Sequence, residues 1–352
     1  MKPSTALCNA LLLAGVLTAG AVFSADAPIY PNTSGMGDVP KGAEWYRQCL
    51  RVEKAMPPAA DLPDAQSVAA LKGCNAEERY YDTRNKVGAS AADWQQVRQC
   101  AFAKGDDGVL MMLYANGLGV VRHPELALKY ACSLPGAGAE MDGRVEHLLA
   151  LGKGGKAETF DLCDDITSGY MQGVCTAIGE RQQAKARGRQ LGAVVQGWPP
   201  QHKAALDTAQ LALDAFARAR GDEETDLSGT ARAAMAIAAT AAEATLFAQD
   251  IRDFEQGKTP RHSAAQFAAA DRELNAIYQK IMKLPGTGEQ GLVSPYTTVT
   301  KDNVRHTQRA WLKYRDALVR FGALRYPLVP VQAWQAMLTQ RRVQQLHELA
   351  QP

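Results

Sequence analysis

Among the residues able to do defined chemistry, the cysteines stand out. Cys8 is isolated near the start, while Cys49, Cys74, Cys100, Cys132, Cys163 and Cys175 form an even set after which none occurs. Thiolates hold metals when ligands sit as close as C-x-x-C, and no two of the six lie that near. An exported chain with an even cysteine set is expected to pair it. The simplest connectivity is sequential, Cys49–Cys74, Cys100–Cys132 and Cys163–Cys175. A faint repeat supports it: Trp45-Tyr46-Arg47-Gln48-Cys49 and Trp94-Gln95-Gln96-Val97-Arg98-Gln99-Cys100 each bring a tryptophan to Arg-Gln-Cys. Each is followed, one helical hairpin later, by a second cysteine.

Other motifs carry less. Gly152-Lys153-Gly154-Gly155-Lys156 suggests a phosphate loop, but Ala150 occupies the first glycine position and Ala157 the Ser/Thr position, so a turn is expected. Asp161, Asp164 and Asp165 lack the spacing of a calcium loop, and Thr167-Ser168 after them reads as a helix start. The six histidines form no helix-spaced pair. No nucleophile–base pair or glycosidase carboxylate pair can be singled out, so no catalytic residue, metal or cofactor is assigned.

A second polar set lies near the C-terminus. Asp271, Asn275 and Tyr278 fall at i, i+4 and i+7, beside an apolar face of Phe267, Leu274 and Ile281. Gln308 and Arg315 flank Val304, Trp311 and Leu318 in the same way, and Arg341 shares a face with Trp334 and Leu338. A half-buried network is expected, in which Arg315 or Arg341 bonds the Asp271 carboxylate. Such residues commonly fix helix register whatever the function, because buried polar groups need partners.

The elements that must position these residues are helices. Val109 to Ser133 reads as two helices around a turn at Asn116-Gly117-Leu118-Gly119, with Pro124 in the first turn of the second. Arg181 to Arg189 is a basic, glutamine-rich helical stretch, and Gly192 to Pro200 is a break that places a domain boundary. Beyond it, helices are expected over His202–Arg220, to Phe254 after an entry cap at Thr225–Ser228, over Ser263–Leu284, over Lys301–Phe321 and over Val331–Leu349. Pro285 to Pro295 is the glycine-rich loop before the fourth of these.

The first residues bear on compartment. A basic start, an uncharged apolar run from Leu7 to Val22 and Ala25-Asp26-Ala27 read as a signal peptide over 1–27. Cleavage leaves about 325 of 352 residues, enough for two domains. These are expected as a cysteine-containing helical-repeat domain over 28–190 and a helical domain over 200–352. No later stretch is apolar enough to span a membrane. With 39 basic and 37 acidic residues, charge implies neither nucleic acid nor a strongly charged partner surface.

The helix pair ending at Cys132 resembles the Sel-like class of tetratricopeptide-type repeats, in particular its secreted, cysteine-rich members, over about residues 94–134. That resemblance implies a bond from Cys132 to the first helix of the pair. A second resemblance rests on three blocks: Asp271-Arg272-Glu273-Leu274-Asn275 with Tyr278; Gln308-Arg309-Ala310-Trp311 with Arg315-Asp316; and Leu338-Thr339 with Arg341 or Arg342 and Leu346. Together, and in this order, they are similar to the lysozyme inhibitor LprI family, whose pattern is D-x-x-L-N-x-x-Y, then Q-R-x-W-x-x-x-R-D, then L-T-x-x-R-x-x-x-L. Many members carry cysteines in this region, and here there are none.

The resemblance implies a periplasmic or secreted helical domain that binds and inhibits a muramidase, with Asp271, Leu274, Asn275, Tyr278, Gln308, Arg309, Trp311, Arg315, Asp316, Thr339 and Arg341 as its motif residues, either partner-binding or part of a structural network. The whole then reads as an all-α, exported, non-catalytic binding protein. Its expected partner is a protein, a lysozyme or lytic transglycosylase. The alternative is a peptidoglycan-acting enzyme, or an accessory or structural envelope protein.

Overall fold

The computed structural model describes residues 29–34, 36–37, 41–153, 159–286 and 291–350. The signal-peptide stretch, Gly154 to Lys156 of the glycine–lysine motif and part of the Pro285–Pro295 loop lie outside the described residues. The remainder is all-α. It comprises α1 (Glu44–Val52), α2 (Ala65–Ala70), α3 (Ala76–Arg84), α4 (Ala91–Lys104), α5 (Asp107–Asn116), α6 (Pro124–Ser133), α7 (Gly138–Gly152), α8 (Gly169–Val195), α9 (Pro200–Glu223), α10 (Arg232–Glu255), α11 (Ala264–Lys283), α12 (Lys301–Arg325) and α13 (Val331–Leu349). One isolated bridge, Leu292 to Thr300, is the sole β pairing among the described residues.

Helix starts follow local chemistry. Ser90 with Asp93, Ser263 with Gln266 and Thr300 with Asn303 form reciprocal caps that satisfy otherwise orphaned amides. Ser168 caps α8 as its sequence suggests. Thr225–Ser228 does not cap α10, which begins at Arg232 without a side-chain cap. The Asp226 carboxylate accepts instead from Ser228 and from the Thr298 amide (3.1 Å), tying this turn to the segment before α12. A distant partner outcompetes the local cap.

Two apolar cores result. The first gathers α1 and α3 to α7 around Tyr80, Met111, Met112, Tyr114, Leu126 and Phe160, with Ile178 of α8. The α5–α6 turn lies close against α4: a Cβ on Gly119 would stand 2.8 Å from the Trp94 Cβ, so only glycine fits there. The second core joins Trp198, Phe216, Phe247, Trp311, Tyr314, Phe321 and Trp334, with Leu191, Val194 and Val195 of α8 packed on it. In the C-terminal part, α12 runs along α9, α11 along α13, and α10 against both α8 and α9.

The disulfides correct the sequential pairing. Cys49 bonds Cys132 and Cys74 bonds Cys100, while Cys163 bonds Cys175. The reason lies in packing. α6 lies against α1, bringing Cys132 to Cys49 with Cα atoms 5.7 Å apart, whereas α3 and α4 form the hairpin that brings Cys74 to Cys100. Cys132 thus reaches a helix outside its own hairpin, not the first helix that the repeat resemblance implies. Three disulfides require an oxidising folding environment.

Around the third bridge, Asp161 accepts from Tyr81 (3.0 Å) and Arg84, Asp164 accepts from the Asp161 amide (2.7 Å), and Asp165 meets His147 (3.0 Å). Among the described residues no group of three His, Cys, Asp or Glu is placed to hold a metal. No helix among them is long and apolar enough to cross a membrane.

Candidate partner-binding site

The family-motif residues divide between core and surface. Leu274, Trp311 and Thr339 are buried, Tyr278 packs on the second core at its edge, and Arg309 is exposed. The Thr339 hydroxyl is buried without a hydrogen-bond partner. α11 turns Leu274, Ile277 and Ile281 inward, which leaves Asp271 and Asn275 on its outer flank. There Asn275 Nδ2 donates to the Asp271 carbonyl (2.8 Å) and carboxylate (3.3 Å).

The expected bond from Arg315 or Arg341 to Asp271 does not form. Arg315 donates to the adjacent Asp316 (2.8 and 2.9 Å) while its guanidinium lies 5.3 Å from the Trp311 ring centroid. Arg341 takes both carboxylate oxygens of Asp250 on α10. Each guanidinium therefore has a carboxylate nearer than Asp271. Burial alone would lower the Arg341 pKa, but its bonds to Asp250 outweigh that and raise it.

The centre of the bundle is built around Arg342, which is wholly buried. Its Nη1 and Nη2 donate to the two Glu224 oxygens at 2.7 and 2.6 Å, and its Nε donates to Gln308 Oε1 at 2.8 Å. Gln345 approaches Nη1 (3.2 Å) and donates to Glu243 at 2.7 Å. Arg220 stands 3.3 Å from Glu224 and 3.4 Å from Glu243. Burial raises the Glu243 pKa, against the pull of Arg220, Arg342 and Arg341. The void among Phe216, Glu243, Trp311, Tyr314 and Arg342 measures about 10 Å³, too little for more than a single water. This centre is packed protein and holds no small-molecule site.

Most of this network is not legible in the sequence. Glu224, Glu243, Asp250 and Arg220 belong to no motif, and the residue named for the motif arginine is Arg341, although Arg342 also fits. Signals existed: Thr339-x-x-Arg spacing falls on Arg342, and Glu243 is a lone acid within the alanine-rich run from Ala233 to Ala248.

At the end of the bundle where α12 passes to α13, the Glu255 carboxylate gathers Arg325 Nε (3.2 Å) and Nη2 (2.9 Å), the Tyr326 hydroxyl (2.8 Å) and Trp198 Nε1 (3.3 Å). Burial opposes the charge, but these bonds prevail and lower the Glu255 pKa. Arg325 lies 4.6 Å over the Trp198 ring, and Tyr326 sits among Phe254, Phe321 and Trp334. The corner Tyr326–Pro330 is therefore braced from beneath.

Besides a hollow of about 680 Å³ beside Gly169, Gly173 and Thr230, two others among the described residues open to solvent. One of about 700 Å³ runs between α8 and α10 over small residues such as Gly179, Ala238 and Ala241. The other, about 760 Å³, lies between α1 and α7 over Trp45, Val145 and Leu149. Neither lining contains a histidine or cysteine.

The described residues form a disulfide-braced, all-α protein whose polar centre is closed. Its C-terminal part can be assigned more closely. The family model described as Lysozyme inhibitor LprI matches residues 255–346, so the end of α10 with α11, α12 and most of α13 is similar to that family. No curated protein and no solved structure matches the chain.

Proposed function

We propose that this is an exported, non-catalytic binding protein that inhibits a cell-wall hydrolase, a lysozyme or a lytic transglycosylase, in the periplasm or outside the cell. The LprI match over 255–346 is the observation that carries this reading. Three disulfides support an extracytoplasmic place, and the packed centre of the bundle supports recognition by a surface. In this reading 28–190 and 200–352 are two units, a disulfide-braced support and the inhibitory bundle. The test is a titration of the purified mature protein against a panel of lysozymes and lytic transglycosylases, recording binding and activity. Stoichiometric inhibition is expected. Solubilisation of cell wall by the protein alone would overturn the reading in favour of an enzyme.

A further inference from the structure

α12 is the most basic helix of the LprI-like stretch, with seven basic and two acidic residues. Both acids already have neighbours, Asp302 with Arg305 and Asp316 with Arg315. Arg309, Lys313 and Arg320 are exposed, and no ion pair among the described residues reaches them. Their spacing of four and seven places them along one side of the helix, and Leu324 follows Arg320 by four on that same side. Asp316, paired with Arg315, lies on the same side, so the row is a solvent-facing stripe of three cations around one neutralised carboxylate, ending in apolar side chains.

Beyond Arg325 the chain turns through Tyr326-Pro327-Leu328-Val329-Pro330 into α13. The Tyr326 amide donates to Gly322 (2.8 Å), the Val329 amide to Tyr326 (2.9 Å) and the Ala333 amide to Pro330 (2.9 Å). Tyr326 and Val329 face the core, which leaves Leu328 outward at 96% exposure, with Leu324 at 44% and Val331 at 40%. Two prolines and the bonds to Glu255 hold this tip in one shape, so docking it costs little conformational entropy. An apolar anchor on a rigid corner suits insertion into a pocket, where buried anchors dominate binding energy.

The charge of the stripe indicates what it would meet. Glycoside hydrolases of the muramidase type cut between two carboxyl groups set in a cleft. Cations held beside an apolar anchor complement such a cleft in charge and shape. We propose that the Pro327–Pro330 corner inserts Leu328 into the substrate cleft of the hydrolase, while Arg309, Lys313 and Arg320 face its acidic groups. This rests on the inhibitor reading above and names the contact face for it.

The experiment uses the whole mature protein against a c-type lysozyme and a soluble lytic transglycosylase. Wild type is compared with Leu328→Glu, with the triple variant Arg309→Glu/Lys313→Glu/Arg320→Glu, and with Val87→Glu, a control at a fully exposed site between α3 and α4. All altered residues are at the surface, so melting temperatures should stay together. Leu328→Glu and the triple variant should each weaken inhibition by about tenfold or more, and the control should not. Added salt should weaken the wild type more than the triple variant. If wild type inhibits and the variants inhibit equally, the docking face is elsewhere, although the inhibitor reading survives. If wild type self-associates and Leu328→Glu abolishes only that, the face joins two copies and the proposal is wrong. If wild type inhibits neither enzyme, the inhibitor reading fails and this inference falls with it.

Discussion

Arg342 of α13 and Glu224, at the end of α9, form a two-point ion pair from which solvent is excluded on both sides. Removing both charges from water costs several kcal/mol, which their attraction offsets only when the remaining hydrogen-bonding positions are filled. Gln308, Gln345 and Arg220 fill them here. The pair joins residues far apart in sequence and ties α13 to the C-terminal end of α9.

Breaking that pair should be costly. Arg342→Ala leaves Glu224 charged and buried, and should reduce unfolding free energy by about 3–5 kcal/mol. The apolar double variant Arg342→Met/Glu224→Leu should recover most of the loss. Urea unfolding of the three proteins measures both effects. A single variant within about 1 kcal/mol of wild type would mean that water reaches Glu224.

The disulfides should rank by the loops they close. With sequence separations of 83, 26 and 12, chain entropy gives about 4.5, 3.5 and 2.8 kcal/mol for Cys49–Cys132, Cys74–Cys100 and Cys163–Cys175. Double serine variants should lose stability in that order. Non-reducing peptide mapping should recover Cys49 joined to Cys132, and finding Cys49 with Cys74 instead would restore the sequential pattern.

One carboxyl predicts a pH dependence. Burial raises Asp107, at the first turn of α5, from 3.8 to about 6; neighbouring Asp106 adds to this and Lys129 opposes it. The folded state therefore holds this proton more tightly than the unfolded chain. Its contribution is fully present below about pH 4 and is lost as pH rises through about 6, by about 1–2 kcal/mol after allowance for solvent screening. Asp107→Asn should thus stabilise the protein at neutral pH and not below pH ~4. Thermal melts at the two pH values check this, and equal gains at both would contradict it.

Gly322 offers a steric test. A Cβ there would stand 2.6 Å from the ring of Trp334, which is wholly buried. Alanine improves helix propensity by about 1 kcal/mol, but the overlap should outweigh it, for a net loss of about 2 kcal/mol. Gly188→Ala on α8 meets nothing within 4 Å and should instead gain up to about 1 kcal/mol. If both variants gain stability, α12 and α13 are less tightly apposed than described.

The helices of the C-terminal part are legible in the sequence because their apolar residues recur on one face. Val331–Leu349 is read to the residue, and Ser263 is recognised at the start of α11. α12 runs one turn past Phe321, since Gly322 is held inside it by the Trp334 contact. Pairings between helices are less legible. A sequence places carboxylates and guanidiniums at seam edges without saying which edges meet. Arg341 and Arg342 point about 100° apart on one helix, so one reaches Asp250 and the other Glu224, and Asp271 is left to Asn275. Cys132 likewise finds Cys49 because of how α6 lies on α1, which no local spacing records.

The stretch that carries the family pattern does not contain the partners of two of its own arginines. Arg341 and Arg342 lie inside 255–346, yet their carboxylates, Asp250 and Glu224, lie before it. Tyr314 likewise stacks on Phe216 of α9 at 5.8 Å. A fragment cut at residue 255 would carry two orphaned guanidinium groups and an opened aromatic core. The family pattern and the core it belongs to have different borders in this chain, since that core reaches back through Trp198, which stacks on Phe321.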